Sequence, residues 1–111
     1  MHKIRDTRTI HDKVTFYAGS EKVTLRVDKD GWQIVSDLNK VREKLSEVTE
    51  ENMEEREEDC AFSFAQALFG DEQANKLMTL FGNPVSVINV CEQYFSKYLN
   101  KKITRAQVRR K

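Results

Sequence analysis

The sequence has few of the residues from which enzyme sites and disulfide frameworks are built. Its 111 residues include two cysteines and two histidines, and both histidines, His2 and His11, lie in the polar N-terminal stretch. None of the spaced motifs of zinc sites, metalloproteases, dinucleotide-binding folds or P-loops occurs. The polar residues form no convergent set of acid, base and nucleophile. We therefore predict that the protein is not an enzyme and uses no metal or cofactor.

Long apolar runs are also missing. No stretch of about 18 consecutive apolar residues occurs, which argues against a membrane-spanning helix. The first residues are polar, so no secretory signal is expected. Cys60 and Cys91 lie among apolar residues at helical spacing, and in such a chain they are expected to be buried free thiols rather than a disulfide. These features predict a cytoplasmic protein without membrane contact.

Two segments of alternating polarity predict a β-hairpin over residues 13–27. In KVTFYAGSEKVTLRV, β-branched and aromatic residues alternate with polar ones on both sides of a short link. Gly19 and Ser20 lie in that link and suit a tight turn. Residues 1–12 show no periodicity, and we expect them to form an extended arm.

After the hairpin the apolar spacing changes to three and four residues, which is typical of amphipathic helices. The first such helix is expected to begin near Trp32, with Trp32 packed against the hairpin. Its apolar stripe consists of Ile34, Leu38, Val41, Leu45 and Val48. A second helix is predicted from about residue 50 to Gly70, unless residues 49–52 separate it from the first as a flexible break.

Two further helices are punctuated by glycine, aspartate and proline. Asp71 is expected to cap a short helix that ends at Gly82. Asn83 and Pro84 have the N-cap and first-turn positions of a last long helix. Thr104 and Gln107 have capping-box spacing, so the end of the chain is expected either to form one or two separate helical turns or to be disordered.

These segments predict one α+β domain that is mostly α. It comprises an extended arm at residues 1–12, a hairpin at 13–27, a helical core of about four helices at 32–99 and a basic C-terminal tail at 100–111. We see no internal repeat and no interdomain linker.

Charge is distributed unevenly, although the formal net charge is only +1. Residues 43–59, which include TEENMEEREED, carry nine acidic side chains against Lys44 and Arg56. Residues 97–111 carry seven basic side chains and no acidic one. We therefore predict that the binding residues are Glu50, Glu51, Glu54, Glu55 and Glu58 in the acidic block, and Lys101, Lys102, Arg105, Arg109 and Arg110 in the tail.

Two aromatic residues are predicted to add to this surface. Phe62 and Phe69 fall off the stripe formed by Cys60, Phe64 and Leu68, so we expect them to be exposed. Large exposed aromatic side chains typically mark a protein contact.

The charged blocks allow several interpretations. Both can be solvated surface, which is the plainest explanation of any single charge run. They can pair within one chain, or head to tail between identical subunits, which produces rings or filaments. The basic tail can also bind nucleic acid. The segment NPVSVINV offers no Arg or Lys to base edges, which argues against a DNA-reading helix-turn-helix.

Three stretches carry a resemblance to a known family. They are RTIHDKVTFYAGSEKVTLRV, FAQALFGDEQANKLMTLFGNP and VINVCEQYFSKYLNKKITRAQ. In style and order, the sequence resembles tail assembly chaperones of long-tailed phages and prophages of Gram-positive bacteria. None of the three stretches is a catalytic signature.

The resemblance implies a non-enzymatic role in viral morphogenesis in the bacterial host cytoplasm. Such chaperones are small, largely helical and prone to self-association. They coat the tape-measure protein before the tail tube polymerises, and they recruit tail-tube subunits. The implied partners are therefore the tape-measure protein, the tail-tube protein and further copies of the chain. The family has no fixed functional residues to transfer, so the binding residues rest on the charge and aromatic patterns above. The alternative is a small nucleic-acid-binding or regulatory protein that uses the basic tail.

Overall fold

A computed structural model of the chain describes residues 9–108, with side chains through residue 104. Its elements are β1 (Thr9–Ala18), β2 (Glu21–Asp30), α1 (Gly31–Ser46), α2 (Met53–Phe69), α3 (Asp71–Phe81), α4 (Pro84–Tyr94), a π-helical turn (Phe95–Leu99) and α5 (Asn100–Val108). The last three elements follow one another without a break and form one helical segment. The predicted fold class, an α+β fold dominated by about four helices after a hairpin, is therefore confirmed.

The two strands form an antiparallel hairpin that is longer than the sequence indicated. Thr9 pairs with Asp30 at the open end, and Ala18 pairs with Glu21 at the turn. Gly19 takes a φ of +65°, which a side chain would disfavour. Residues 9–12, expected in an extended arm, belong to β1 because Ile10 continues the buried face of the strand. The rest of the expected arm lies outside the described residues.

Helix α1 is shorter than its apolar stripe suggested. Ile34, Leu38 and Val41 are buried, but the helix ends at Ser46 and Leu45 is 37% exposed. Trp32 was expected to pack against the hairpin, but its side chain is 52% exposed and is not among the residues packed on the core cluster. The backbone N–H of Trp32 instead donates to the carboxylate of Asp30, which caps α1.

A turn over residues 47–52 separates α1 from α2. The Asn52 side chain accepts a hydrogen bond from the Thr49 backbone N–H at 2.7 Å and donates to the Glu47 carbonyl oxygen at 3.2 Å. Because the Asn52 side chain organises this turn, α2 begins at Met53 rather than near residue 50. Val48, expected on the α1 stripe, lies in the turn.

Helix α2 passes through the centre of the molecule and packs against α1, α3, α4 and β2. The predicted stripe of Cys60, Phe64 and Leu68 is buried, and the small Ala61 and Ala65 beside it are fully buried. Small side chains let neighbouring helices approach closely, so α2 is covered over most of its second half.

Short polar contacts fix the remaining helices. Gly70, rather than the expected Asp71, occupies the N-cap position of α3. The Asn83 side chain accepts from the Val85 N–H at 2.9 Å with Pro84 in the first turn, which confirms the predicted start of α4. The Gln73 amide bonds both backbone groups of Arg26 and ties α3 to β2.

The basic end of the chain is a helix through Val108, not a separate segment. The Thr104 hydroxyl donates to the Asn100 carbonyl inside α5, so the predicted capping box does not begin a new helix. Leu99 of the π-helical turn and Ile103 of α5 are buried, which anchors this end of the helical segment on the fold. Among residues 9–108, none of the helices has the length and apolar character needed to cross a membrane.

Candidate functional site

An acidic groove runs between α2 and α3. Glu55, Glu58 and Asp59 form one rim, at the spacing that places residues on the same face of a helix. The next position on that face, Phe62, forms the floor of the groove together with Met78 of α3. The groove has a volume of about 390 Å³. It therefore combines negative charge with a small apolar floor.

Most of the acidic side chains are exposed and lack a cationic partner within the described part of the chain. Glu50 and Glu51 lie in the turn before α2, and Glu54, Glu55 and Glu58 lie on its surface. Within that part, the ion pairs of the acidic block are Lys44–Asp59 at 3.5 Å and Arg56–Glu47 at 3.7 Å. Like charges three or four residues apart repel each other by roughly 0.2–0.5 kcal/mol per pair. The repulsion favours a cationic partner from outside the chain.

The helix dipole explains only part of this acidic run. Glu54 and Glu55 lie in the first turn of α2, where the exposed N–H groups favour negative charge. Glu58 lies beyond that turn, where the effect of the dipole has largely fallen off. The helix dipole therefore does not stabilise the negative charge of Glu58.

A second groove, of opposite character, lies between β1 and the C-terminal helical segment. It has a volume of about 580 Å³ and is lined by Lys13, Lys97, Lys101 and Lys102, with the rings of Tyr94 and Tyr98 among them. Tyr98 is 61% exposed. Lys97, Tyr98 and Lys101, which line this groove, are exposed on the C-terminal helical segment. We call these three side chains the basic knob.

The floor of the second groove is held together by Asp12. The Tyr94 hydroxyl donates to one oxygen of Asp12 at 2.5 Å, and the Lys102 ammonium lies 3.2 Å from the other. Lys102 also donates to the His11 carbonyl oxygen at 3.4 Å. Lys102, predicted as a binding residue, therefore serves at least in part to fasten α5 to β1.

These contacts shift the pKa values of Asp12 and Tyr94. Burial raises the pKa of Asp12, but the hydrogen bonds from Tyr94 and Lys102 outweigh it, so the pKa of Asp12 lies below its ordinary value. Burial, and then the hydrogen bond to Asp12, raises the pKa of Tyr94 well above its ordinary value. Asp12 is consequently a carboxylate and Tyr94 a neutral phenol at neutral pH.

An Asp12→Asn variant is expected to be less stable than the wild type by about 1–3 kcal/mol at pH 7, since it loses the hydrogen bonds of a charged group. Because folding lowers the pKa of Asp12, this stabilisation is complete above the unfolded pKa near 4 and is lost as the pH falls through the folded pKa. Urea unfolding at pH 7, 5 and 3 should therefore show the difference narrowing at pH 3.

The control for this comparison is Glu21→Gln, at the exposed end of the hairpin. It removes one carboxylate without touching Asp12 and is expected to unfold like the wild type at all three pH values. A constant difference between Asp12→Asn and the wild type from pH 7 to pH 3 would contradict the role given to the carboxylate.

The two cysteines offer no reactive thiol. Cys60 and Cys91 are free and buried, as the sequence predicted. Burial raises the pKa of Cys91 to about 12. Burial, and then the negative charge of Asp59, raises the pKa of Cys60. Because the thiolate is the reactive form, both side chains act as small apolar core residues.

The two aromatic residues predicted to be exposed, Phe62 and Phe69, are both at least partly buried. Phe69 was expected to be exposed, and this is wrong: it is 6% exposed, because the ring of Tyr94 stacks on it at 5.7 Å and Phe16 meets it edge-on at 5.8 Å. Phe62 is partly buried and contributes one face to the acidic groove. The exposed aromatic residue of the C-terminal half is instead Tyr98.

The predicted basic residues are described only in part. Lys101 is exposed and lines the second groove. The backbone of Arg105 belongs to α5, but its side chain lies outside the described residues, as do Arg109 and Arg110. Sequence patterns missed Lys13, which β1 brings to its groove from far away along the chain, and Met78, which the next helix, α3, places beside Phe62.

The two grooves lie well apart on one molecule. Phe69 ends α2 and contacts Tyr94, which ends α4, so the C-terminal segment continues from that end of α2. From Glu55 to Phe69, α2 spans about 21 Å. Interactions between exposed charges are largely screened beyond about 8 Å at physiological salt. The described part of the basic segment therefore does not neutralise the acidic groove of its own chain.

Among residues 9–108, no group of three or more His, Cys, Asp and Glu side chains has the geometry of a metal site. Comparison of the chain with family models, with curated proteins and with solved structures finds no match in any of the three.

Proposed function

We propose that the protein is a non-enzymatic assembly protein that associates with itself, and most concretely a phage tail assembly chaperone. On this proposal it works in the cytoplasm of the bacterial host, where it binds the tape-measure protein and tail-tube subunits. The resemblance of three sequence stretches supports the phage role. The observation that carries the self-association is the separation of two grooves of opposite charge on one chain.

The charge separation suits a coat that must form and later leave. Exposed ion pairs contribute little individually, and salt weakens them. An interface built on them assembles through many modest contacts, with electrostatic attraction that speeds encounter. A partner with stronger contacts can then displace the coat.

The first test is light scattering on a sizing column at about 0.1 M and about 1 M salt, where the screening length falls from about 10 Å to about 3 Å. We expect oligomers at low salt that dissociate at high salt. A protein that ends at Asn100 is not a suitable test of the basic tail. It would also lose the buried Ile103 and the Lys102 contact with Asp12, and so would lose contacts that hold the fold. A monomer at both salt concentrations would contradict self-association.

The phage role needs its own test. Co-expression with the tape-measure protein encoded in the same genome, followed by affinity purification through a tag on that protein, should recover this chain in many copies. Recovery should fall in about 1 M salt. Failure to recover the chain, in a strain where both proteins are made, would contradict the chaperone role.

A second function is favoured by the basic knob. An exposed aromatic ring between lysines is the arrangement by which proteins hold single-stranded nucleic acid, through stacking and backbone attraction. On this alternative, the chain would bind a labelled oligonucleotide with an affinity that falls steeply between about 50 mM and 200 mM salt. No binding at the lower salt concentration would exclude it.

A further inference from the structure

We propose that the basic knob of one copy docks in the acidic groove of a second copy, with the ring of Tyr98 placed on Phe62 and Met78. This inference rests on the self-association proposed above and names the two surfaces and the residues that join them. The knob and the groove are different parts of the chain, so the contact is heterologous. Repetition of a heterologous contact produces a ring or an open filament rather than a closed dimer.

Charge complementarity identifies the occupant of the groove. Glu55 and Glu58 lie on the rim without a cationic partner in the described part of the chain. Lys97 and Lys101 are exposed on either side of Tyr98. They are two cations one helical turn apart, as Glu55 and Glu58 are two anions one turn apart. Paired side by side, each surface relieves the like-charge repulsion of the other.

The floor of the groove accounts for the aromatic residue. Phe62 and Met78 are partly buried and pack against the core, so each presents one face to the groove. A methionine thioether makes favourable contacts with aromatic rings, and two aromatic rings prefer edge or offset contacts. Asn75, also in the groove, offers an amide to the Tyr98 hydroxyl.

The knob is held in place by the fold. Tyr94 and Lys102, the neighbours of Tyr98 one turn away on each side, are fixed by Asp12 of β1. Leu99 and Ile103 are buried on the opposite face. A knob on an anchored helix loses less conformational freedom on binding than a disordered tail would.

The experiment uses two charge-reversed proteins. One carries Lys97→Glu with Lys101→Glu, and the other carries Glu55→Lys with Glu58→Lys. At about 0.1 M salt each alone should be a monomer, because its knob and groove now have the same sign. Mixed in equal amounts, they should form oligomers like the wild type, since the reversed knob of the first fits the reversed groove of the second and the unchanged knob of the second fits the unchanged groove of the first.

Two controls separate the docking site from general effects. Lys40→Glu with Arg42→Glu changes the net charge by the same amount as Lys97→Glu with Lys101→Glu, but on the exposed face of α1. It should leave association intact. Tyr98→Ala should weaken association roughly thirtyfold, the scale of a central aromatic residue at an interface, whereas Tyr98→Phe keeps the ring and most of the affinity. Circular dichroism confirms that each variant is folded.

The outcomes are distinct. Restored oligomers in the mixture establish the pairing of knob with groove, because variants that merely fail to fold cannot rescue each other. If the wild type associates but the mixture of folded variants stays monomeric, the docking site is wrong while self-association stands. If the wild type is a monomer at every salt concentration, both the docking and the self-association are wrong.

Discussion

Replacing Tyr94 by alanine is expected to lower the free energy of unfolding by about 3–5 kcal/mol, the range found for large aromatic residues removed from a core. The side chain is only 3% exposed. Its ring stacks on Phe69 at 5.7 Å and meets Phe16 at 6.2 Å, and its hydroxyl donates to Asp12. The substitution removes the joint between the hairpin, α2 and the C-terminal segment. Urea unfolding followed by circular dichroism measures the loss.

Two matched variants separate the parts of this effect. Tyr94→Phe keeps both ring contacts and removes one hydrogen bond to a charged group. It should therefore lower the free energy of unfolding by about 1.5–3 kcal/mol. Tyr98→Ala truncates the same residue type one turn away, at a side chain that is 61% exposed and whose ring lies 6.3 Å from that of Tyr94, so its effect should stay within about 1 kcal/mol. Equal losses for Tyr94→Ala and Tyr98→Ala would contradict the burial assigned to Tyr94.

This joint also bears on the proposed assembly. Loss of Tyr94 removes one of the two side chains that join Asp12 to the helical segment carrying the basic knob. We therefore expect Tyr94→Ala to weaken association as well as stability, whereas Tyr98→Ala should weaken association with only a small loss of stability. The comparison distinguishes a residue that positions the knob from one that makes the contact.

Local periodicity was enough to predict the hairpin and the order of the helices. Alternation in β1 and β2 and the stripe of Ile34, Leu38 and Val41 each reflect one element facing one core, and such patterns need no knowledge of the tertiary fold. The Asn83–Pro84 start of α4 was predicted for the same reason, because capping involves residues only two positions apart.

The error at Phe69 arose because its burial depends on distant elements. Phe69 lies off the main stripe of α2 but is covered by Tyr94 and by Phe16 of the hairpin. The hydrogen bond from Tyr94 to Asp12 was not predicted, because the two residues lie 82 positions apart in the chain. A one-dimensional pattern assigns one buried face to a helix, whereas α2 is surrounded by four other elements.

For the candidate site, the sequence predicted the acidic rim but not the apolar floor. The acidic rim is a run of neighbouring residues, so the sequence displays it directly. Its apolar floor combines Phe62 of α2 with Met78 of α3, and the second groove combines Lys13 of β1 with Lys101 of α5. Such combinations depend on how helices cross and have no local sequence signal.

Leu68→Ala is expected to lower the free energy of unfolding by about 2–5 kcal/mol, because it removes buried methyl groups and leaves a cavity where α2 meets its neighbours. Leu68 is fully buried in the core cluster. Leu45→Ala makes the same chemical change in the last turn of α1, at a side chain that is 37% exposed. It opens to solvent rather than creating a cavity, so its cost should stay within about 1 kcal/mol.

The pair tests the structure against the sequence pattern. The apolar stripe alone places Leu45 in a buried seam, and on that basis both substitutions would cost several kcal/mol. In the structure, α1 ends at Ser46, one residue after Leu45, and a turn held by Asn52 follows, so Leu45 lies in the last turn of the helix. Urea unfolding of both variants is measured under one set of conditions. Comparable losses would mean that Leu45 is buried as the stripe predicts, whereas a loss confined to Leu68→Ala supports a core centred on α2.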